Sequence, residues 1–131
     1  MNPQDIQRLS PADLPAPLTR FIGRDREVGE LSQLIGGARM LTLTGAGGSG
    51  KTRLAIAVTH KLVERFTRVM WVDLSTINEA VLVAHHVATA MRIPDRADAL
   101  PADLVARSID NDAALLVLDN CEHLVDACAD L

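Results

Sequence analysis

The sequence predicts an α/β fold built on a parallel sheet. Two observations carry that reading: three short apolar runs, 39–44, 69–74 and 113–118, alternate with stretches of helical periodicity, and a glycine-rich octapeptide, 45–52, joins the first run to the helical stretch behind it. Alternating strands and helices imply right-handed crossovers and parallel pairing. Ligands of such sheets sit at the carboxyl ends of the strands.

Residues 1–18 carry Pro3, Pro11, Pro15 and Pro17 and read as a flexible arm or linker, leaving 19–131 as the folded domain. Between Asp25 and Ile35, the residues Val28, Leu31, Leu34 and Ile35 form an apolar helical stripe that Gly36 and Gly37 end. Met40-Leu41-Thr42-Leu43-Thr44 reads as a buried strand. Leu54, Val58, Leu62 and Phe66, four apart, mark one face of a helix of about fifteen residues. Val69-Met70-Trp71-Val72-Asp73-Leu74 is nearly all apolar, as a strand covered on both faces should be. Thr76 and Glu79 read as a capping box for a helix through Ala84, Val87, Ala88 and Met91. A loop over 92–100 follows, and Pro101 suits the first position of a short helix ending near Asp110. Ala113–Leu118 is the third strand, and the last ten residues look like the start of another helix.

The octapeptide Gly45-Ala46-Gly47-Gly48-Ser49-Gly50-Lys51-Thr52 fits the phosphate-binding pattern G-x-x-x-x-G-K-[ST]. Glycines let successive backbone N–H groups converge on phosphate oxygens. A helix beginning inside the loop adds the positive end of its dipole. Lys51 would reach the β and γ phosphates and Thr52 would ligate Mg²⁺. A ligand-free glycine turn needs no lysine followed by threonine, and the strand-loop-helix context is the one the motif requires.

Leu115-Leu116-Val117-Leu118-Asp119 is an apolar strand ending in a carboxylate. At a strand's carboxyl edge, Asp119 would hold Mg²⁺ opposite Thr52. Four aliphatics and an Asp are weak by themselves and gain weight only from the glycine loop upstream. The next residue is Asn120, which cannot accept a proton at neutral pH.

Composition bounds the partners. The chain has 131 residues, a net charge of −4 and no long run of like charge, which argues against direct nucleic-acid binding by this segment. No apolar stretch approaches the ~20 residues of a membrane span, and the first 20 residues do not read as a signal peptide, so a cytoplasmic protein is expected. Cys121 and Cys128 read as reduced, partly buried thiols: on one helix their Cα atoms would stand ~10.5 Å apart, beyond the ~7 Å reach of a disulfide. The histidines His60, His85, His86 and His123 read as solvated or packing residues.

Taken together, the segments LPAPLTRFIGRDREVGEL (14–31), RMLTLTGAGGSGKTRLA (39–55), VMWVDLS (69–75) and LLVLDNCEHLVDA (115–127) resemble the nucleotide-binding (NB-ARC/AAA-like) domain of STAND-class P-loop ATPases, as in large bacterial LuxR-type transcriptional regulators. The resemblance covers about residues 14–131. It implies a P-loop NTPase fold, a three-layer αβα sandwich, here incomplete with about three strands. It implies ATP or ADP and Mg²⁺ as cofactors, and a switch in which ADP holds a closed state and ATP an open one. It places Phe21, Ile22, Gly23 and Arg24 at the base pocket, and Gly45, Ala46, Gly47, Gly48, Ser49, Gly50, Lys51, Thr52 and Arg53 on the phosphates, with Asp119 and Thr52 on the metal. Many ATPases of this type place Glu where Asn120 stands, so weak hydrolysis at best is expected; Glu122 and His123 are the nearby alternatives. The family's next strand, which lies between the strands ending at Thr44 and Asp119, is missing from this sequence, as are its sensor arginine and its DNA-binding helices. The expectation is a marginally stable module that binds nucleotide weakly and works with other domains of a larger regulator or by self-association. Two other classes compete: a small autonomous P-loop kinase, although Arg92, Arg96 and Arg107 form no recognisable lid, and an interaction fragment that holds no nucleotide.

Overall fold

The computed structural model describes residues 14–16, 23–110 and 112–131. They group into two compact units, one within Leu9–Phe66 and one over Thr67–Leu131. The expected arm over 1–18 lies almost wholly outside the described residues.

In the first unit, helix α1 spans Asp25–Gly37 and helix α2 spans Lys51–Leu62, followed by a 3₁₀ turn at Val63–Arg65. Asp25 and Glu27 in the first turn of α1 suit its dipole. The two helices pack through the stripes read from the sequence: Val28 from α1 meets Leu54, Val58 and Leu62 from α2, with Leu31, Ile35, Leu43, Ala57 and Phe66 packed around them. Helix α1 runs on through Gly36 and Gly37, and the chain turns extended only at Ala38.

The first expected strand is not formed. Residues 38–44 belong to no sheet, and Met40 and Leu41 are exposed. A strand is defined by its ladder, and among the described residues this segment makes none; an apolar, β-branched composition does not supply a partner.

The second unit holds one two-stranded parallel sheet, β1 at Arg68–Asp73 and β2 at Ala114–Asp119. The fold is therefore mixed α/β with two paired strands where three were expected, compatible with part of a P-loop NTPase fold. Their register pairs Arg68 with Ala114 and, at the far end, Asp73 with Asp119. Val69, Met70 and Val72 are buried and Trp71 is half-buried, so β1 is covered on both faces as its composition indicates. Helix α3 spans Val83–Ala90, α4 spans Pro101–Ile109 with Pro101 in its first turn, and α5 spans Val125–Ala129. The core joins Met70, Val72 and Leu74 to Val83, Val87, Ala88 and Met91, with Val105 and Leu124 closing it.

The capping box is also corrected. Thr76 starts no helix. The Asp73 carboxylate accepts the Ser75 N–H at 2.8 Å and the Leu74 carbonyl accepts the Ile77 N–H at 3.0 Å, which closes a turn there instead. A 3₁₀ turn, Ala80–Leu82, then leads into α3 without a side-chain cap.

Candidate functional site

The glycine loop belongs to the first unit. Gly48 and Gly50 have φ of +76° and +85°, a region that costs a side-chain-bearing residue about 1–2 kcal/mol. Gly50 is the N-cap of α2 and offers no side chain to the first turn, so its N–H groups have no cap from that residue. The turn is closed by Ser49 N–H donating to the Ala46 carbonyl at 3.1 Å. At Gly45 an added Cβ would lie 2.8 Å from Ser49 Oγ, so the serine side chain would have to shift. That Ser49 hydroxyl is buried and has no hydrogen-bond partner. Lys51 Nζ donates to the carbonyls of Gly45 at 2.8 Å and Ala46 at 3.1 Å, so the ammonium is folded over its own loop. Gly47 is exposed, as are Thr52 and Arg53 on the first turn of α2.

Arg24, placed by resemblance at the base pocket, touches the loop directly. One guanidinium nitrogen donates to the Ser49 carbonyl at 3.1 Å, and another lies 3.4 Å from the Glu27 carboxylate. Gly23 precedes it with φ +89°. Phe21 and Ile22 lie outside the described residues.

Asp119 belongs to the second unit, as the last residue of β2. One of its carboxylate oxygens accepts the Asn120 N–H at 2.9 Å, and its carbonyl accepts the Leu74 N–H at 2.9 Å. Asn120 itself has φ +55°, a left-handed conformation that Asn tolerates better than most residues. Its side-chain amide donates to Asp73 Oδ1 at 2.9 Å. That bond, with the Ser75 N–H, holds the Asp73 carboxyl below its ordinary value of 3.8. Asp73 is a residue that reading for motifs misses. The available signal was that both apolar strands end in Asp, which parallel in-register pairing sets side by side. His123, one of the two alternatives to a Glu at position 120, has Nε2 hydrogen-bonded to the Ile77 carbonyl. Glu122 is exposed.

The cysteines do not share a helix. Cys121 lies in the turn before α5 and Cys128 within it, both half-buried. Burial, followed by the neighbouring Cys121 thiol, pushes the Cys128 thiol up to about 11.

Among the described residues, no group of three or more His, Cys, Asp or Glu side chains is placed to hold a metal. Mg²⁺ in nucleotide sites needs fewer protein ligands, one or two oxygens beside phosphate and water. The loop's chemistry fits a phosphate group: left-handed glycines, a helix start with no side-chain cap from Gly50 and a lysine folded over the loop stand together.

The loop and the parallel pairing are each compatible with part of a P-loop NTPase-like α/β fold. The AAA domain family matches residues 33–131, and the chain belongs to it. It is similar to an uncharacterized protein of Mycobacterium tuberculosis, 37% identical over 113 residues, which cover 86% of this chain and 29% of the relative. A protein of the same species provisionally named an HTH-type transcriptional regulator is 46% identical over 93 residues, 71% of this chain and 10% of the relative. Mycobacterium bovis has a counterpart of each at the same identities. The chain thus spans less than a third of the length of these relatives. No solved structure matches it significantly. No helix among the described residues is long and apolar enough to cross a membrane.

Proposed function

We propose that this chain is the nucleotide-binding switch module of a signal-responsive transcriptional regulator of the STAND, NB-ARC-like and LuxR-type class. The observation that carries the proposal is the cradle itself, in which Gly48 and Gly50 are left-handed, Ser49 Oγ is buried without a partner and Lys51 lies across the loop. The resemblance to a relative named as an HTH-type regulator supplies the regulatory context.

In this reading ATP or ADP binds by its phosphates. Backbone N–H groups from Gly45 to Thr52 and the Lys51 ammonium take the phosphate oxygens, and Arg53 flanks them. Gly23 and Arg24 line the nucleoside side with Ile22. Thr52 and Asp119 would each offer an oxygen to Mg²⁺, which would neutralise phosphate charge. Asn120 cannot serve as the base that activates water and His123 Nε2 is engaged with the Ile77 carbonyl, which supports a reading of weak turnover or none. The module acts in the cytoplasm, with other domains of a larger regulator or with a second copy of itself as partners, and without contacting nucleic acid or membrane.

Titration with a fluorescent ATP analogue, with and without Mg²⁺, tests this. Saturable binding that tightens with Mg²⁺ and weakens at least tenfold in Lys51→Ala is expected. Equal binding by wild type and Lys51→Ala would sink the phosphate-loop reading. Vigorous ATP turnover abolished by the same substitution would sink the switch reading and leave a P-loop enzyme in its place.

A further inference from the structure

We infer that Asp73 is a positioning residue for the metal ligand Asp119, acting through Asn120. The inference rests on the proposed role of Asp119. It starts from the parallel register, which puts Asp73 and Asp119 side by side at the carboxyl ends of β1 and β2. Three hydrogen bonds then form a closed chain. Asp73 Oδ1 accepts the Asn120 side-chain amide at 2.9 Å, the Asn120 backbone N–H donates to Asp119 Oδ1 at 2.9 Å, and the Asp119 carbonyl accepts the Leu74 N–H, next to Asp73, at 2.9 Å.

The turn that makes this possible places Asn120 at φ +55°, a left-handed conformation open to Asn but one of several it can adopt. Asp73 secures it, and is itself fixed by the Ser75 N–H at 2.8 Å. Without the bond between Asp73 and the Asn120 amide, the Asp119–Asn120 peptide is free to turn, and the Asp119 carboxylate loses one of the contacts that orient it. A carboxylate that must present one oxygen to a metal depends on such an outer contact. Removing outer partners typically lowers metal affinity ten- to a hundredfold.

Asp73 does this as an acceptor. Its Oδ1 is already taken by two donors, the Asn120 amide and the Ser75 N–H. Asp73→Asn keeps an acceptor oxygen for both, whereas Asp73→Ala keeps none. The two substitutions therefore separate positioning from direct ligation.

The test uses the full chain, ADP, and Mn²⁺ as the probe ion read by electron paramagnetic resonance. ADP affinity is measured first in EDTA, then Mn²⁺ affinity of the ADP complex, for wild type, Asp73→Ala, Asp73→Asn and Asp119→Asn. Expected are ADP affinities within twofold of wild type in EDTA for both Asp73 variants. Mn²⁺ affinity should fall about tenfold in Asp73→Ala and more in Asp119→Asn, and stay within about threefold of wild type in Asp73→Asn. Wild-type Mn²⁺ affinity in Asp73→Ala would overturn the inference and leave the Asp119 role standing. Equal losses in Asp73→Asn and Asp73→Ala would overturn it in favour of direct ligation. A matching loss of ADP affinity in EDTA would overturn it in favour of a general loss of structure. Unchanged Mn²⁺ affinity in Asp119→Asn would overturn the underlying metal reading and the inference with it.

Discussion

Gly50→Ala is the most direct probe of the glycine loop. At φ +85° and ψ +21°, an alanine pays the left-handed penalty of about 1–2 kcal/mol. Reduced freedom of the unfolded chain returns about 0.4–1 kcal/mol. Nothing steric adds to the balance, since the new Cβ would meet only Arg24 Nη1 at 4.0 Å, an ordinary contact. The net is a destabilisation of roughly 0.5–1 kcal/mol by backbone conformation alone. Gly29 is the control. It lies inside α1 with nothing within 4 Å of an added Cβ, so Gly29→Ala should stabilise by about 0.5–1 kcal/mol. The two substitutions thus differ by about 1–2 kcal/mol in opposite directions although the chemical change is identical. Urea unfolding followed by far-ultraviolet circular dichroism measures both midpoints. ATP-analogue affinity should fall in Gly50→Ala and hold in Gly29→Ala, because only the former disturbs the cradle. A Gly50→Ala chain as stable as Gly29→Ala would refute the left-handed assignment and the cradle built on it.

Asp73 sets an acid limit: its folded value lies below the ordinary 3.8, so its stabilisation is complete above that value and is lost as pH falls through the lower folded one. Asp73→Asn should flatten the fall in urea midpoint below pH 3.8. The Cys128 thiol runs the other way. With its folded value raised from 9.0 to about 11, its contribution is complete below pH 9.0 and is lost as pH rises through about 11. Iodoacetamide labelling of Cys128, read by mass spectrometry, should be slow at pH 8 and accelerate toward pH 11. Leu74 is 0% exposed in the second unit's core, and Leu74→Ala should destabilise by about 2–5 kcal/mol in the same urea assay.

Local signals in the sequence carry most of this architecture. The glycine loop is legible because its glycines, lysine and threonine each have a physical task at a fixed spacing. Helix α2 is legible because Leu54, Val58 and Leu62 repeat at the helical period, and the structure buries all three. Strands β1 and β2 fall within a residue of their expected positions because continuous apolar runs bounded by polar residues read clearly. The segment 39–44 looks the same in composition and forms no strand, because pairing belongs to two segments and cannot be read from one. Asp73 stays hidden for a related reason. Its significance lies in being opposite Asp119, a fact of register across 46 residues. The turn after β1 resembles a capping box because Thr76 and Glu79 have the right spacing, but the Asp73 side chain competes for the local N–H groups.

The left-handed turn at Asn120 also constrains how this domain can evolve. Replacing Asn120 by Glu meets two obstacles at once. A glutamate there takes on the left-handed penalty of about 1–2 kcal/mol. It also loses the amide donor and sets a second negative charge beside Asp73. Exchanging Asp73 for a neutral donor beforehand removes part of the repulsion, with Asp119 still beside the new carboxylate. Position 120 is therefore coupled to position 73 through the hydrogen bond between their side chains.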